Sequence, residues 1–180
     1  MENGLLYSNF LAYKISFIPG EIYHVYNRGN NKEIIFREET NYEFFLKKMH
    51  KELESCCELL AYVLMPNHYH FLIYIPVDIP SNPSLSRKIG TLQSSYTQAF
   101  NKRYNRTGSL FQPKLKRKCA SEYAEVCFHY IHQNPVKGGL CEVLDNWKFS
   151  SYGDFLNSNE NGLVNTMAAQ ELLDLPKDST

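Results

Sequence analysis

The segment Met65-Pro66-Asn67-His68-Tyr69-His70-Phe71-Leu72-Ile73 constrains this chain more than any other. A proline and an asparagine make a tight connection, and a short hydrophobic strand follows. Successive side chains of a strand point to opposite faces, so His68 and His70 project together from one face while Tyr69 and Phe71 turn to the other. The two aromatic rings can sink into a core and fix the strand. The two imidazoles on the opposite face are half of a metal site, or else two ordinary histidines of a half-buried strand.

The pattern on either side of this strand sets the architecture. Residues 21 to 26 alternate, with Ile22, His24 and Tyr26 against Tyr23 and Val25, and they run into Asn27-Arg28-Gly29-Asn30-Asn31, a turn by composition. Thr40 is the expected N-cap of a helix over residues 41 to 54, in which Tyr42, Phe45, Leu46 and Met49 recur at helical spacing. Residues 58 to 65 and 68 to 75 read as a hairpin closed by Pro66-Asn67. Pro76, Pro80 and Pro83 mark a loop. Ser84 or Ser86 then caps a helix reaching Tyr104, with Ile89, Leu92, Tyr96 and Phe100 on one side. Residues 110 to 119 are expected to be extended, and Ser121 caps a helix over 122 to 133 that Pro135 should stop. The order strand, helix, strand, strand, helix, strand predicts an α+β fold, a ferredoxin-like antiparallel sheet with helices packed on one face.

Composition narrows the class. The chain has 180 residues, 43% hydrophobic and 21% charged, which suits one domain with one sizeable core and leaves no run long enough for a membrane helix. Its first residues show no secretory signal, so a cytoplasmic location is expected. The five cysteines form no Cys-x-x-Cys pair, which argues against a zinc ribbon and a disulfide framework. Net charge is zero, but it is segregated: between Ile79 and Ser121 there is no acidic residue, and nine of the 19 basic ones fall there, namely Arg87, Lys88, Lys102, Arg103, Arg106, Lys114, Lys116, Arg117 and Lys118. With Tyr96, Phe100, Tyr104 and Phe111 interleaved, that stretch suits phosphates and unstacked bases, although a solvated surface has the same composition.

The last helix brings further chemistry. Tyr130 and Asn134 lie four residues apart and so share a face. If that face meets the histidine strand, the Asn134 carbonyl oxygen could join His68 and His70 around a cation, with positions left for a phosphate oxygen and water. Tyr130 would then face a polarised phosphorus, its hydroxyl activated as a nucleophile. A rotated helix would offer Glu125, His129, His132 or Gln133 instead of Asn134. Tyr130 also fits an apolar stripe with Tyr123, Val126 and Cys127, in which case it is core.

Three motifs in order, Tyr23-His24-Val25-Tyr26-Asn27-Arg28-Gly29, Met65-Pro66-Asn67-His68-Tyr69-His70-Phe71-Leu72 and Tyr130-Ile131-His132-Gln133-Asn134-Pro135-Val136-Lys137, resemble the single-tyrosine HUH transposases of the insertion sequence 200/605 type and their REP-associated relatives. The resemblance covers about residues 18 to 155, and Asn105 to Gln112 is similar to the REP-associated branch. It implies that His68, His70 and Asn134 ligate Mg or Mn, that Tyr130 is the nucleophile, and that single-stranded DNA is cut near a hairpin through a 5′-phosphotyrosine and rejoined by reversal. DNA contacts are expected at Asn27, Arg28, Lys102, Arg103, Arg106, Lys114, Lys116, Arg117 and Lys118. Insertion-sequence members exchange the tyrosine helix within a homodimer, whereas REP-associated ones can be monomeric. The resemblance places a catalytic domain over residues 1 to 155, followed by a tail over 156 to 180. A domesticated protein that binds hairpins without cutting them is the alternative, and a phosphodiesterase using water is a third.

Overall fold

The alternation of the strands becomes two-sided burial in the computed structural model, which describes residues 17–78, 83–157 and 162–176. Strand β1 (Ile22–Arg28) is followed by helix α1 (Glu39–Leu53), the hairpin β2 (Glu58–Met65) and β3 (His68–Tyr74), helix α2 (Pro83–Arg103) and strand β4 (Lys116–Cys119). Helix α3 (Ala124–Lys137) comes next, then the short helices α4 (Tyr152–Leu156) and α5 (Thr166–Leu172). The sheet is antiparallel throughout with strand order β2-β3-β1-β4, the ferredoxin-like arrangement expected from the element order.

One face of the sheet carries Tyr23, Val25, Leu64, Tyr69, Phe71 and Ile73, packed on Phe45 and Met49 of α1 and Ile89, Leu92 and Tyr96 of α2. Each such side chain fully removed from water stabilises the fold by roughly 1.5–3 kcal/mol. The two helices of the strand-helix-strand repeat thus share one face. The opposite face carries Ile22, Ala61, Val63, Met65 and Leu72, and its cover is α3, through Ala124, Cys127, Phe128 and Ile131. Because His68, His70 and His24 have the parity of this second face, the histidines and α3 are brought to the same side of the sheet.

Several boundaries differ from the sequence pattern, each for a local reason. Strand β1 continues through Asn27 and Arg28 because β3 pairs with it down to His68, so the turn begins only at Gly29. Helix α1 starts at Glu39 with Glu38 as its cap, and Thr40 lies inside the first turn; Asn41 in the third position accepts from Arg37 N at 3.0 Å and so caps from within. Between residues 110 and 119, Lys116–Cys119 forms the strand, and Phe111 adds an isolated bridge to Gly29. Helix α3 passes through Pro135 to Lys137. The missing proline N–H leaves the Ile131 carbonyl without its helical partner, and Asn134 Nδ2 donates to that carbonyl at 3.3 Å and to Tyr130 O at 2.7 Å. Helix α2 begins at Pro83, so Ser84 and Ser86, the expected caps, lie inside the helix; the loop residue Pro80 and residues 1–16 lie outside the described residues.

The free edge of β2 is covered by the chain after α3: Leu64 N donates to Phe149 O, Ser151 N to Tyr62 O, and Trp147 Nε1 to Leu64 O. Beyond it, Asn165 caps α5 through Ala168 N and binds Leu59 O and Glu58, while Val164, Ala169, Leu173 and Leu175 are buried on the domain. Among the described residues no helix is long and apolar enough to cross a membrane.

Candidate active site

The floor of the site is built by the β1–β3 pairing. Register places Tyr26 opposite His70 and Arg28 opposite His68, so His24, Tyr26, His68 and His70 cluster on one face. The His24 and His70 rings stack 5.0 Å apart, Tyr26 stacks on His70 at 5.5 Å, and His68 meets His70 edge-on at 5.1 Å. His70 is only 6% exposed. Burial first, and then the neighbouring His24 and His68, hold the His70 imidazole far below its ordinary range. His24 is lowered to about 4 by burial and then by Lys118, and His68 is lowered by burial and then by Arg28. All three rings are therefore neutral at pH 7, the form in which imidazole binds a metal.

The Nδ1 atom of each histidine of the β3 pair has a side-chain partner. His68 Nδ1 lies 2.6 Å from Asn67 Oδ1, and His70 Nδ1 lies 2.8 Å from His24 Nε2. Asn67 Nδ2 donates to Lys32 O, which orients the amide with its oxygen toward His68; an amide oxygen only accepts, so His68 carries its proton on Nδ1 and a lone pair on Nε2. A partner on the far ring nitrogen, which fixes tautomer and ring orientation, is what metal-ligating histidines require. Among the described residues no three His, Cys, Asp or Glu side chains gather to hold an ion. A cation here would take an oxygen from Asn134, whose Oδ1 makes no hydrogen bond among the described residues because the amide is anchored through Nδ2. The donor set of two imidazole nitrogens and one amide oxygen fits a divalent ion that completes its shell with phosphate and water.

Helix α3 sets Tyr130 over this floor. Its ring stands edge-on to His70 at 5.7 Å and to His24 at 6.0 Å, with Lys137 Nζ 5.9 Å from the ring centre. Tyr130 is 42% exposed, so it lies outside the core, and its hydroxyl makes no hydrogen bond among the described residues. The other polar residues of the helix are placed elsewhere. His132 is buried against Phe128 and Phe155 with Nε2 2.8 Å from Ser151 Oγ, while His129 pairs with Glu125 at the exposed side.

The basic residues divide by face. Lys116 and Lys118 of β4 are exposed and stand opposite Tyr26 and His24, so they border the histidine floor, as Arg28 does beside His68. With the Gln112 amide turned so that its oxygen faces the guanidinium, that oxygen accepts from Arg28 Nε at 2.8 Å and Nη2 at 3.2 Å and satisfies both groups. Arg117 turns to the other face, over the Phe17 ring and toward Ser86. Asn27, 2% exposed, spends its amide on the Gln112 carbonyl and on Arg28 N. Arg106 forks onto Glu33 at 2.8 and 2.6 Å, and Arg103 pairs with Glu38. Lys102 and Lys114 are exposed, in the last turn of α2 and on the approach to β4. Asn27, Arg103, Arg106 and Arg117 are thus engaged with groups of the protein itself, and Arg28, Lys116 and Lys118 border the histidine face. Residue spacing alone does not single out His24 as a site residue. Its signal was its place in the β1 alternation, which puts it on the histidine face only once the β1–β3 register is known.

Residues 19–134 match the family model described as Transposase IS200 like. The chain belongs to the IS200-like transposase family. A Haemophilus influenzae relative, provisionally assigned as a REP-associated tyrosine transposase, is 27% identical over 107 residues, or 53% of this chain and 58% of the relative; the chain thus matches little more than half the length of that relative. The solved structure of a REP-associated tyrosine transposase bound to a REP hairpin aligns with a TM-score of 0.63 at 20% identity, covering 82% of this chain and 86% of the other, which is a likeness of fold. The family match takes in β1, β3 and the part of α3 that reaches Asn134, so His24, Tyr26, His68, His70, Tyr130 and Asn134 all lie within it.

Proposed function

We propose that this IS200-like transposase cuts and rejoins single-stranded DNA near hairpins, with Tyr130 as nucleophile and a divalent ion, Mg or Mn, held by His68, His70 and Asn134. The observation that carries the reading is the half-exposed Tyr130 ring 5.7 Å from His70, its hydroxyl free of hydrogen bonds among the described residues, above imidazoles whose Nδ1 atoms are already engaged. The hairpin held by the structural relative makes hairpin DNA the substrate to test.

In this reaction Tyr130 Oη bonds to phosphorus and loses its proton to solvent, while the bond from phosphorus to the 3′-oxygen breaks and that oxygen takes a proton from solvent to leave as a 3′-hydroxyl. The product is a 5′-phosphotyrosine, and attack by another 3′-hydroxyl reverses the step without a nucleotide cofactor. A bound divalent ion supplies Lewis-acid stabilisation of the charge that builds on the phosphate. Arg28, Lys116 and Lys118 position phosphates around the floor, and Tyr26 walls the His70 ring. The packing of α3 on β2 and β3 of its own chain supports the reading in which Tyr130 serves the histidines of the same chain. We assign the chemistry to residues 1–155, with the segment beyond them a brace on the sheet.

The test is a denaturing gel of protein incubated with Mn and labelled hairpin-bearing single-stranded DNA. Wild type should give a covalent protein-DNA band that needs the metal, and Tyr130→Phe should give none while keeping its fold. Tight binding with no band from any hairpin of the source genome sinks the nuclease reading in favour of a hairpin binder, and cleavage that survives Tyr130→Phe replaces the tyrosine by water.

A further inference from the structure

We infer that His24 is a positioning residue of the site, accepting the Nδ1–H of His70 on its own Nε2 and so holding His70 in the tautomer whose Nε2 carries a lone pair for a cation. The inference rests on the metal reading above and adds a fourth residue that touches neither cation nor substrate. One proton occupies the 2.8 Å contact between His24 Nε2 and His70 Nδ1, and it can belong to either ring. If His24 donates, the His70 proton sits on Nε2 and blocks ligation. If His70 donates, its Nε2 is bare, and the ring repeats the arrangement that Asn67 imposes on His68.

Three features hold the pair together. The antiparallel register sets His24 diagonal to His70, two residues from its direct partner Tyr26. His24 stacks on His70 and packs on Tyr26 at 4.8 Å, so its ring is fixed as well as bonded. Both rings are buried, which leaves His24 as the only hydrogen-bond partner of His70 Nδ1 among the described residues. A cation at His70 Nε2 would select the sense in which His70 donates, and His24 is the group that makes that sense available.

Two measurements decide it. Long-range proton–nitrogen NMR of wild type with Mg should show His70 protonated at Nδ1; protonation at Nε2 overturns the inference without any variant. Mn affinity, read by electron paramagnetic resonance of free Mn, should fall about 10–100-fold in His24→Leu, the range for lost outer-shell partners, and stay near wild type in His24→Gln, whose amide can still accept. Equal affinity in wild type and His24→Leu overturns the inference and leaves the metal reading standing. A wild type that takes up no Mn overturns the metal reading, and the inference falls with it.

Discussion

At Gly29 a side chain has no room: a Cβ there would lie 2.2 Å from Glu33 O and 3.0 Å from the Ile35 side chain. The close approach serves the site, because Gly29 N donates to Asn67 O at 2.8 Å and Asn67 is the residue whose Oδ1 orients His68. An alanine must push back the 29–35 loop, a backbone clash of the overpacking kind. Gly29→Ala should cost about 1–3 kcal/mol in urea unfolding and should weaken Mn binding with it. Tyr130→Phe, by contrast, alters a half-exposed ring and should unfold within about 0.5 kcal/mol of wild type, so that loss of the covalent band reports chemistry alone. An unchanged urea midpoint in Gly29→Ala would show that the loop yields freely and that Gly29 does not hold Asn67.

At the scale of one element, α3 carries both Tyr130 and Asn134, and its C-terminus is fixed by geometry that the sequence pattern misread. Pro135 was expected to end the helix, since proline removes an N–H, but it stands close enough to the end that its only orphan, the Ile131 carbonyl, is taken by Asn134 Nδ2. The stop comes later. Leu140 N donates to Pro135 O at 2.9 Å and Gly139 N to Val136 O at 3.0 Å, with Gly139 at φ 67°, a Schellman closure around a left-handed residue. Gly139→Ala puts a Cβ in that conformation and should destabilise the protein by about 1 kcal/mol, with fraying confined to the last turn in amide exchange. Uniform loss of protection along α3 would refute the confinement. The face shared by Tyr130 and Asn134 was legible from helical spacing, as was the hairpin from Pro66-Asn67. The β1–β3 register was not, because strand alternation fixes which side a residue faces and not which residue it meets, and His24 went uncounted for that reason.

Across the whole molecule, the neutral total conceals a basic stretch that folding then sorts by face. Along a linear sequence its cations are equivalent; on β4 the period of two sends Lys116 and Lys118 to the histidine side and Arg117 to the other. Glu33 and Glu38, from outside the stretch, neutralise Arg106 and Arg103, partners that charge counting in one segment could not reveal. The division predicts how DNA binding responds to salt. Each cation that neutralises a phosphate of a single strand contributes about 0.7 to the slope of log affinity against log salt concentration. Lys116→Ala and Lys118→Ala should each weaken hairpin binding and lower that slope by about 0.7, measured by fluorescence anisotropy over a salt series. Arg106→Ala leaves Glu33 without its forked partner and loosens the loop that ends at Gln112, so its expected loss is in thermal stability, with the salt slope unchanged. If Lys116, Lys118, Arg106 and Arg117 all lowered the slope alike, the basic stretch would act as an undivided surface, and the histidine face would have no privileged claim on the phosphates.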